Sequence, residues 1–412
     1  MRVEKSGNFN DIKSLKVAID GNDITTYINQ ITIYQDIFLP CWSAIVMVED
    51  SANIIMRLPI RPGSKIKMDV ETQTESVFDG DKSYEMIIYK LGDKIMKGQM
   101  HYQYLLFCAS KGFLTNQTNR ISKTYSNQKP EDSVANICSE FLGGTLEKKD
   151  DSDVTYHIIV PNWTPYVAAW WCAKIALKEN RSDYVFFMKD FDQYWFRSIE
   201  NLYKDEKSGI TFKQKPTNFR GESGDFEDDY GAMINKYFTY DYDGMGNLGT
   251  GYYKTKLLSY DVISKKWESK VFSFGDDLEE DKEKKPWDIF DQAENANISF
   301  LPKHPGLHAN QTIDDQVTNW HVSRKSNLMK LEQNKLQIQI PGGAKIWDML
   351  GKNCEVELPS HQDTDEGEIY DKYYKGTYLV SHICQVYTQT TVTVNLELLK
   401  KRLSEKMTGG EQ

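Results

Sequence analysis

Gly244-Met245-Gly246-Asn247-Leu248-Gly249 has the spacing G-x-G-x-x-G. In a dinucleotide site such glycines let the backbone approach a pyrophosphate, which then meets the N-terminus of a helix that follows. The flanks here do not fit. Thr250 to Tyr260 is rich in tyrosine and lysine with strand-like spacing, so the segment reads as a glycine-rich surface loop, and no cofactor is expected. His304 and His308 stand four apart, the spacing of two ligands on one helix face, but Pro305-Gly306 between them breaks any such helix. No metal site is expected. Glu279-Glu280 lies in the charged run Asp276 to Lys285, which ends at Pro286 and reads as solvent-facing. No Gly-x-Ser-x-Gly elbow and no cysteine–histidine pairing in a recognisable context is present. The expectation is therefore no enzyme, with no catalytic, cofactor-binding or metal-binding residue. The enzymatic alternative would need a helix after Gly249.

Composition narrows the classes further. The net charge of −10 over 412 residues argues against a protein that binds nucleic acid by neutralising phosphates. Met1 to Asp20 is charged and lacks the apolar stretch of a signal peptide, and no run approaches the length that spans a bilayer. Cys41, Cys108, Cys138, Cys172, Cys354 and Cys384 are scattered singly, mostly on apolar faces. They read as reduced core residues of a protein made in the cytosol. The tyrosine and tryptophan content suits interfaces but also fills ordinary β cores.

The elements are mainly strands. Leu336, Ile338 and Ile340 alternate with polar residues, and Pro341-Gly342-Gly343 ends that run. After Gly351, residues Cys354, Val356 and Leu358 point one way while Glu355 and Glu357 point the other. Tyr378 to Ile383 and Thr391 to Leu398 complete a set that needs a closed or sandwiched antiparallel sheet. The same frame occurs earlier. Ile66, Met68 and Val70 follow Gly63 at the offsets that Cys354, Val356 and Leu358 keep from Gly351. An upstream strand and a downstream strand pair accompany each: Ala44 to Val48 with Tyr84 to Leu91 and His101 to Cys108, and Leu336 to Ile340 with Tyr378 to Tyr387 and Thr391 to Leu398. The order of elements indicates one barrel-like unit used twice. Lys65, Lys67 and Asp69 then form either the ordinary polar face of a sheet or the lining of a pore.

In chain order, residues 1–111 make a first β domain, with strands around Leu15 to Ile19 and Tyr27 to Tyr34 and a short helix or loop at Asp50 to Arg57. Residues 112–205 make a compact α+β domain. Its first helix opens at Lys129-Pro130-Glu131-Asp132, buries Val134, Ile137, Cys138 and Phe141, and closes at Gly143-Gly144. A second helix starts at Thr164-Pro165, with Val167, Trp170, Trp171, Lys174 and Ile175 on its core face and Lys174 at the edge of that face. A hairpin, Tyr184 to Met188 with Tyr194 to Ser198, follows. Residues 206–240 lead into the second β domain, which resumes near Thr318 (316–399). An insertion spans 241–315, and 400–412 is a charged tail.

Three stretches resemble the baseplate central hub proteins of contractile-tailed bacteriophages, and the hub half of type VI secretion spike proteins. They are Tyr102 to Ser110 continuing through Tyr125 to Gly143; Val160-Pro161-Asn162-Trp163-Thr164-Pro165-Tyr166 with Asp183 to Phe187 and Phe196 to Ser198; and Leu336 to Gly342, Gly351 to Pro359 and Tyr373 to Val380. The insertion is matched least. The resemblance implies an α+β, mainly β chain of two tube-type antiparallel β-barrel domains plus a smaller α+β domain and an insertion. It implies a homotrimeric ring in the virion, made in the host bacterial cytoplasm. That ring would join a hexameric tail tube protein to a trimeric central spike protein carried on another chain, and meet other baseplate proteins. DNA would pass only in transit through its lumen, without stable membrane association. A β-rich receptor- or glycan-binding tail protein is the alternative.

Overall fold

The computed structural model describes residues 12–58, 60–72, 80–92, 94–98, 101–205, 207–214, 231–239, 244–262, 264–273, 297–303, 317–332, 334–343, 345–359, 371 and 374–400. The chain is mainly β. The first part holds β1 (Ile12–Ile19), β2 (Asn22–Asp23), β3 (Ile28–Asp36), β4 (Ser43–Asp50), α1 (Ile54–Arg57), β5 (Lys65–Thr72), β6 (Asp81–Leu91), β7 (Ile95–Gly98) and β8 (His101–Ala109). The middle holds α2 (Lys111–Thr118), β9 (Ile121–Gln128), α3 (Pro130–Ile137), β10 (Thr145–Lys149), β11 (Tyr156–Trp163), α4 (Pro165–Ile175), β12 (Tyr184–Asp190), β13 (Gln193–Ser198) and α5 (Ile199–Lys204). The remainder holds β14 (Lys207–Lys213), β15 (Asn235–Thr239), α6 (Gly244–Thr250), β16 (Lys254–Asp261), β17 (Lys266–Ser273), β18 (Ile298–Lys303), α7 (Val317–Glu332), β19 (Lys335–Pro341), β20 (Asn353–Glu357), β21 (Gly376–Tyr387) and β22 (Val392–Leu399).

Strands from both ends of the chain share one large sheet, and among the described residues no sheet closes on itself. Two sets of five strands repeat within it. In the first set the spatial order is β3-β4-β8-β6-β5, and in the second β15-β19-β22-β21-β20, with every neighbour antiparallel. Register repeats as well as order. Ala44 faces Cys108 and Ile88 faces Cys108 from the other side; Leu336 faces Leu398 and Val380 faces Leu398 likewise. A bulge follows Ile88 in the first set and Val380 in the second. Outside each set a further strand extends the sheet, and here the sets differ. β1 lies antiparallel to β5, whereas β14 lies parallel to β20.

The alternation read from the sequence is the burial pattern. Ile66, Met68 and Val70 are buried, as are Cys354, Val356 and Leu358, while Lys65 and Lys67 are exposed. Burying one face of each strand fixes register, because a one-residue slip would turn every apolar side chain to the other face. The two sets meet directly: β21 pairs with β3 from His382↔Asp36 to Tyr387↔Ile31. β3 and β4 are joined through 37–42, whereas their counterparts β15 and β19 are joined through 240–334. The insertion thus replaces a short turn. Its core is a three-stranded sheet in which β16 pairs antiparallel with β17 and parallel with β18. The region where the second unit was expected to resume, near Thr318, is the helix α7.

Between α2 and α5 the helices and the hairpin follow the sequence reading with one correction. α3 buries Val134 and Ile137, Cys138 continues that face into a π-helical turn, and Gly143 caps it at φ +68°. In α4 Ile175 is buried as expected, but the rest of the buried face is Ala168, Ala169, Cys172 and Ala173, and Val167 and Trp170 are about half exposed, at 48% and 52%. α3 and β12 both press against α4, and only small side chains allow that approach at native packing density. The indoles fall on the flank. Trp171 is half-buried, edge-on to Trp163 and to Trp320 of α7 at 5.8 Å each. Lys174 lies at this edge as expected, its Nζ 5.2 Å from the Trp320 ring.

Candidate functional site, a junction of three units

The charged groups that the fold draws together lie where the first β set, the middle domain and the second β set meet. β6 contributes Lys82 and Tyr84, the connection just before β4 contributes Trp42, β12 contributes Met188, Lys189 and Asp190, and a 3-10 turn at Ile346–Met349 contributes Trp347 and Asp348. Lys82 Nζ donates to both Asp190 carboxylate oxygens at 2.7 and 2.8 Å and lies 3.7 Å from the Trp347 ring centroid. Trp42 and Phe191 close the box at 5.6 and 5.8 Å. A partly desolvated ammonium over indole faces gains both cation–π attraction and its ion pair. Trp42 is fully buried, and its Nε1 donates to the Met188 carbonyl at 3.0 Å.

Lys189 makes the second link. It is 4% exposed, and its Nζ donates to the carbonyls of Asp348 and Leu350 at 2.7 Å each, with the Asp348 carboxylate 3.4 Å away. Burial lowers its pKa to about 7, against which the Asp348 charge acts. A buried amine of that pKa suits a Schiff base or a general base, but here its donors are spent on backbone and carboxylate. Across the β21–β3 seam, Tyr84 Oη donates to Gln385 Oε1 at 3.1 Å, and Tyr387 Oη bonds the same oxygen. Further out, buried Asn353 donates to the carbonyls of Leu202 and Asp205 at the end of α5, at 2.8 and 3.1 Å. Arg324 of α7 donates to the carbonyls of Ala173 and Tyr184 at 3.1 and 2.8 Å, with burial lowering its pKa to about 10. These bonds fix the orientation of one unit on another. They convert no group into a nucleophile.

The motifs singled out in the sequence lie elsewhere. Gly244–Thr250 is a short helix, not a surface loop, and the chain passes from it into strand β16 without the helix that a dinucleotide site requires after its glycines. His304, His308, Glu279 and Glu280 lie outside the described residues. Among the described residues no group of three or more histidine, cysteine or acidic side chains is placed to hold a metal ion. The six cysteines are unpaired as thiols; Cys108, Cys138, Cys172 and Cys354 are buried, and Cys41 and Cys384 half-buried. Lys65, Lys67 and Asp69 line the outer face of β5, with Lys67 3.1 Å from Asp69. Sequence reasoning missed the junction residues. The signal for Lys189 was present: it sits in Tyr184-Val185-Phe186-Phe187-Met188-Lys189, a run buried on both faces. Nothing local marked Lys82 or Trp347. Among the described residues no helix is long and apolar enough to cross a membrane.

No protein-family model matches the chain, and no curated protein matches it. Solved structures do. The tail protein from Neisseria meningitidis MC58 superposes with a TM-score of 0.57 at 11% identity, covering 94% of this chain and 96% of its own. The 43 kDa tail protein of prophage MuSo2 from Shewanella oneidensis superposes with a TM-score of 0.54 at 10% identity, covering 94% of this chain and 98% of its own. The chain therefore shares the fold of these two phage tail proteins over nearly its whole length, and the mainly β, antiparallel architecture expected from the sequence is found.

Proposed function

We propose that this chain is the structural hub of a contractile phage tail baseplate. It forms a homotrimeric ring that adapts the hexameric tail tube to the trimeric central spike and encloses the channel for DNA. The observation that carries this reading is the repetition of strand order and register in the two five-stranded sets. A trimer offers six similar contacts only if each chain supplies two similar surfaces. We assign those surfaces to two tube-type barrel domains, 1–111 and 206–240 with 316–399. The middle domain (112–205), the insertion (241–315) and the tail (400–412) are left to differ. The likeness in fold to two phage tail proteins supports the same reading.

In this account the chain acts without catalysis, since the ionisable groups at its junction are consumed in holding the units together. Its partners are the tail tube protein, the spike protein and other baseplate proteins, and DNA meets it only in transit. The acidic balance of −10 suits a lumen that repels phosphate. It would reside in the virion after synthesis in the host cytoplasm, with no stable membrane association. Mixing the purified chain with the tail tube protein tests the role. Capping of tube ends by the chain supports it, and failure to bind tube or spike contradicts it.

One observation favours the receptor-binding alternative. The insertion sheet exposes an aromatic row, with Tyr260 4.7 Å from Trp267 and Trp267 5.6 Å from Phe300. Trp267 and Phe300 are 63% and 54% exposed, and rings so presented stack on sugars or on protein. Glycan binding lost in Trp267→Ala would move the assignment toward that reading.

A further inference from the structure

α4 is apolar on every side. Its eleven residues, Pro165–Ile175, carry one charge, that of Lys174. A helix hydrophobic all round is ordinarily buried all round, and this one is not. α3 and β12 press on the face of Ala168, Ala169, Cys172 and Ala173, and α7 meets the flank at Trp171. The stripe Val167, Trp170, Trp171 and Lys174, spaced i, i+3, i+4 and i+7, faces outward. Val167 and Trp170 are about half exposed, and Trp171 and Lys174 half-buried. Trp163 of β11, edge-on to Trp171, carries the aromatic surface beyond the helix.

Lys174 sets the chemistry of what this stripe receives. Its Nζ lies 5.9 Å from the Trp170 ring, 5.5 Å from Trp171 and 5.2 Å from Trp320. Burial lowers its pKa, and the Arg324 charge lowers it further. Among the described residues no carboxylate pairs with it. The charges around it are positive as well. Arg324 is held by the carbonyls of Ala173 and Tyr184, and Lys325, like Lys174, adds to the effect of burial in lowering the pKa of His321. Asp183, which acts on Arg324, accepts from Ser198 Oγ and the Glu200 N–H. A cation that has lost part of its water and has no counter-charge gains most from a carboxylate brought by another molecule. An exposed indole beside it is the kind of surface that anchors an apolar side chain.

We propose that the outward stripe of α4 is a docking site for a segment of another protein that carries an aspartate or glutamate beside a large apolar side chain. The carboxylate pairs with Lys174 Nζ, and the apolar side chain seats on Trp170 and Val167. The Trp171 and Trp320 rings hold the ammonium from behind, so the pair forms on a cation that is already positioned. Along the stripe Lys174 is the one polar side chain. That is too few for the hydroxyls of a sugar, and one cation is too few to hold an anionic membrane surface. The inference goes beyond the hub reading and needs no ring, since it concerns one face of one chain.

The test selects binders to the full chain from a displayed library of random peptides. Enriched peptides should place Asp or Glu beside Leu, Phe or Trp. Calorimetry with a synthetic copy of an enriched peptide should show binding weakened about tenfold or more by Trp170→Ala and by Lys174→Met. Lys174→Glu should instead prefer the same peptide with lysine in place of its acid, a reversal that a merely structural lysine would not give. Val167→Glu, at an exposed position outside the tryptophan cluster, should abolish binding by repelling the carboxylate. Circular dichroism confirms that each variant is folded. An empty selection, enrichment of peptides without an acid, or affinity indifferent to Trp170→Ala and Lys174→Met overturns the proposal. So does a dimer of the parent in native mass spectrometry that Trp170→Ala dissolves, which would give the face to a second copy of the chain. Binding to a glycan array or to phosphatidylglycerol vesicles that is lost in Trp170→Ala would likewise overturn the choice of a peptide. Peptide selection uses the isolated chain and tube capping uses the mixture, so either reading can fail without the other.

Discussion

Gly63 and Gly351 close the same pair of hydrogen bonds in the two halves of the chain. Gly63 N–H donates to the Ile88 carbonyl at 2.7 Å, and Ile88 N–H donates back to Ser64 at 2.9 Å. Gly351 N–H donates to the Val380 carbonyl at 2.9 Å, and Val380 N–H donates back to Lys352 at 3.0 Å. Both glycines have positive φ, +100° and +72°. Each turns the chain into the strand whose alternate residues fill the core, and each stands opposite the residue before the bulge.

That conformation costs an L side chain about 1–2 kcal/mol. Gly63→Ala should lose about that much, because open space surrounds the position. Gly351→Ala should lose more, because its Cβ would sit 3.1 Å from the Phe187 ring. Urea denaturation of both variants measures this. A smaller loss at Gly351 than at Gly63 would contradict the packing argument.

The paired frame was legible because each strand buries one face, so Ile66, Met68 and Val70, like Cys354, Val356 and Leu358, had to alternate with polar residues. The seam was not. Nothing near Tyr387 in the sequence specifies Ile31 as its neighbour, since the pairing is settled by how two finished units fit. α7 escaped notice because its buried stripe, Val317, Trp320 and Leu331, is interrupted by Arg324, which is there to bond the carbonyls of Ala173 and Tyr184. On α4 the largest apolar residues pointed to the wrong face, because the close approach of α3 selects alanine and cysteine. The junction box was illegible for the same reason as the seam: Lys82, Asp190 and Trp347 come from three units.

The box itself should be energetically coupled. Lys82→Met removes the cation from the Trp347 ring and leaves Asp190 with only its bond from Phe191 N–H. A loss of about 1–3 kcal/mol is expected. A double-mutant cycle with Trp347→Leu should return a coupling of about 0.5–2 kcal/mol. Additive effects would mean that the ring contributes packing alone.

Lys189 should make stability depend on pH near neutrality. Its amine titrates at about 7 in the folded chain, against about 10.4 for an unfolded lysine. Between those values the unfolded chain binds more protons, so stability rises with pH; below about 7 both forms are protonated and the slope vanishes. Lys400, lowered to about 8 by burial, adds in the same direction. Buried thiols such as Cys41, raised to about 11, oppose it only above the ordinary thiol range. Denaturation midpoints should therefore climb from about pH 7 to about pH 8.5, and less steeply in Lys189→Met. Equal slopes in the two proteins would show that Lys189 does not carry the effect.

The α4 correction separates two neighbouring tryptophans. Trp170→Ala should change stability by no more than about 0.5 kcal/mol. Trp171→Ala, which loses its contacts with Trp163 and Trp320, should cost about 1–3 kcal/mol. Ala169→Leu on the close face should cost about 1–3 kcal/mol by overpacking. Thermal or urea unfolding ranks the three, and a Trp170 variant as damaged as the Trp171 variant would restore the face read from the sequence.

The central claim is that one chain supplies two similar ring units, so that three chains present six. Cryo-electron microscopy of the purified assembly, refined without imposed symmetry, tests this most directly. The account expects three copies in a closed ring. The five strands β3, β4, β8, β6 and β5 and the five strands β15, β19, β22, β21 and β20 should alternate around the lumen and superpose on one another under a rotation of about one sixth of a turn, as head-to-tail closure of six such units requires. A ring of any other copy number, or one in which only one of the two strand sets faces the lumen, would contradict it.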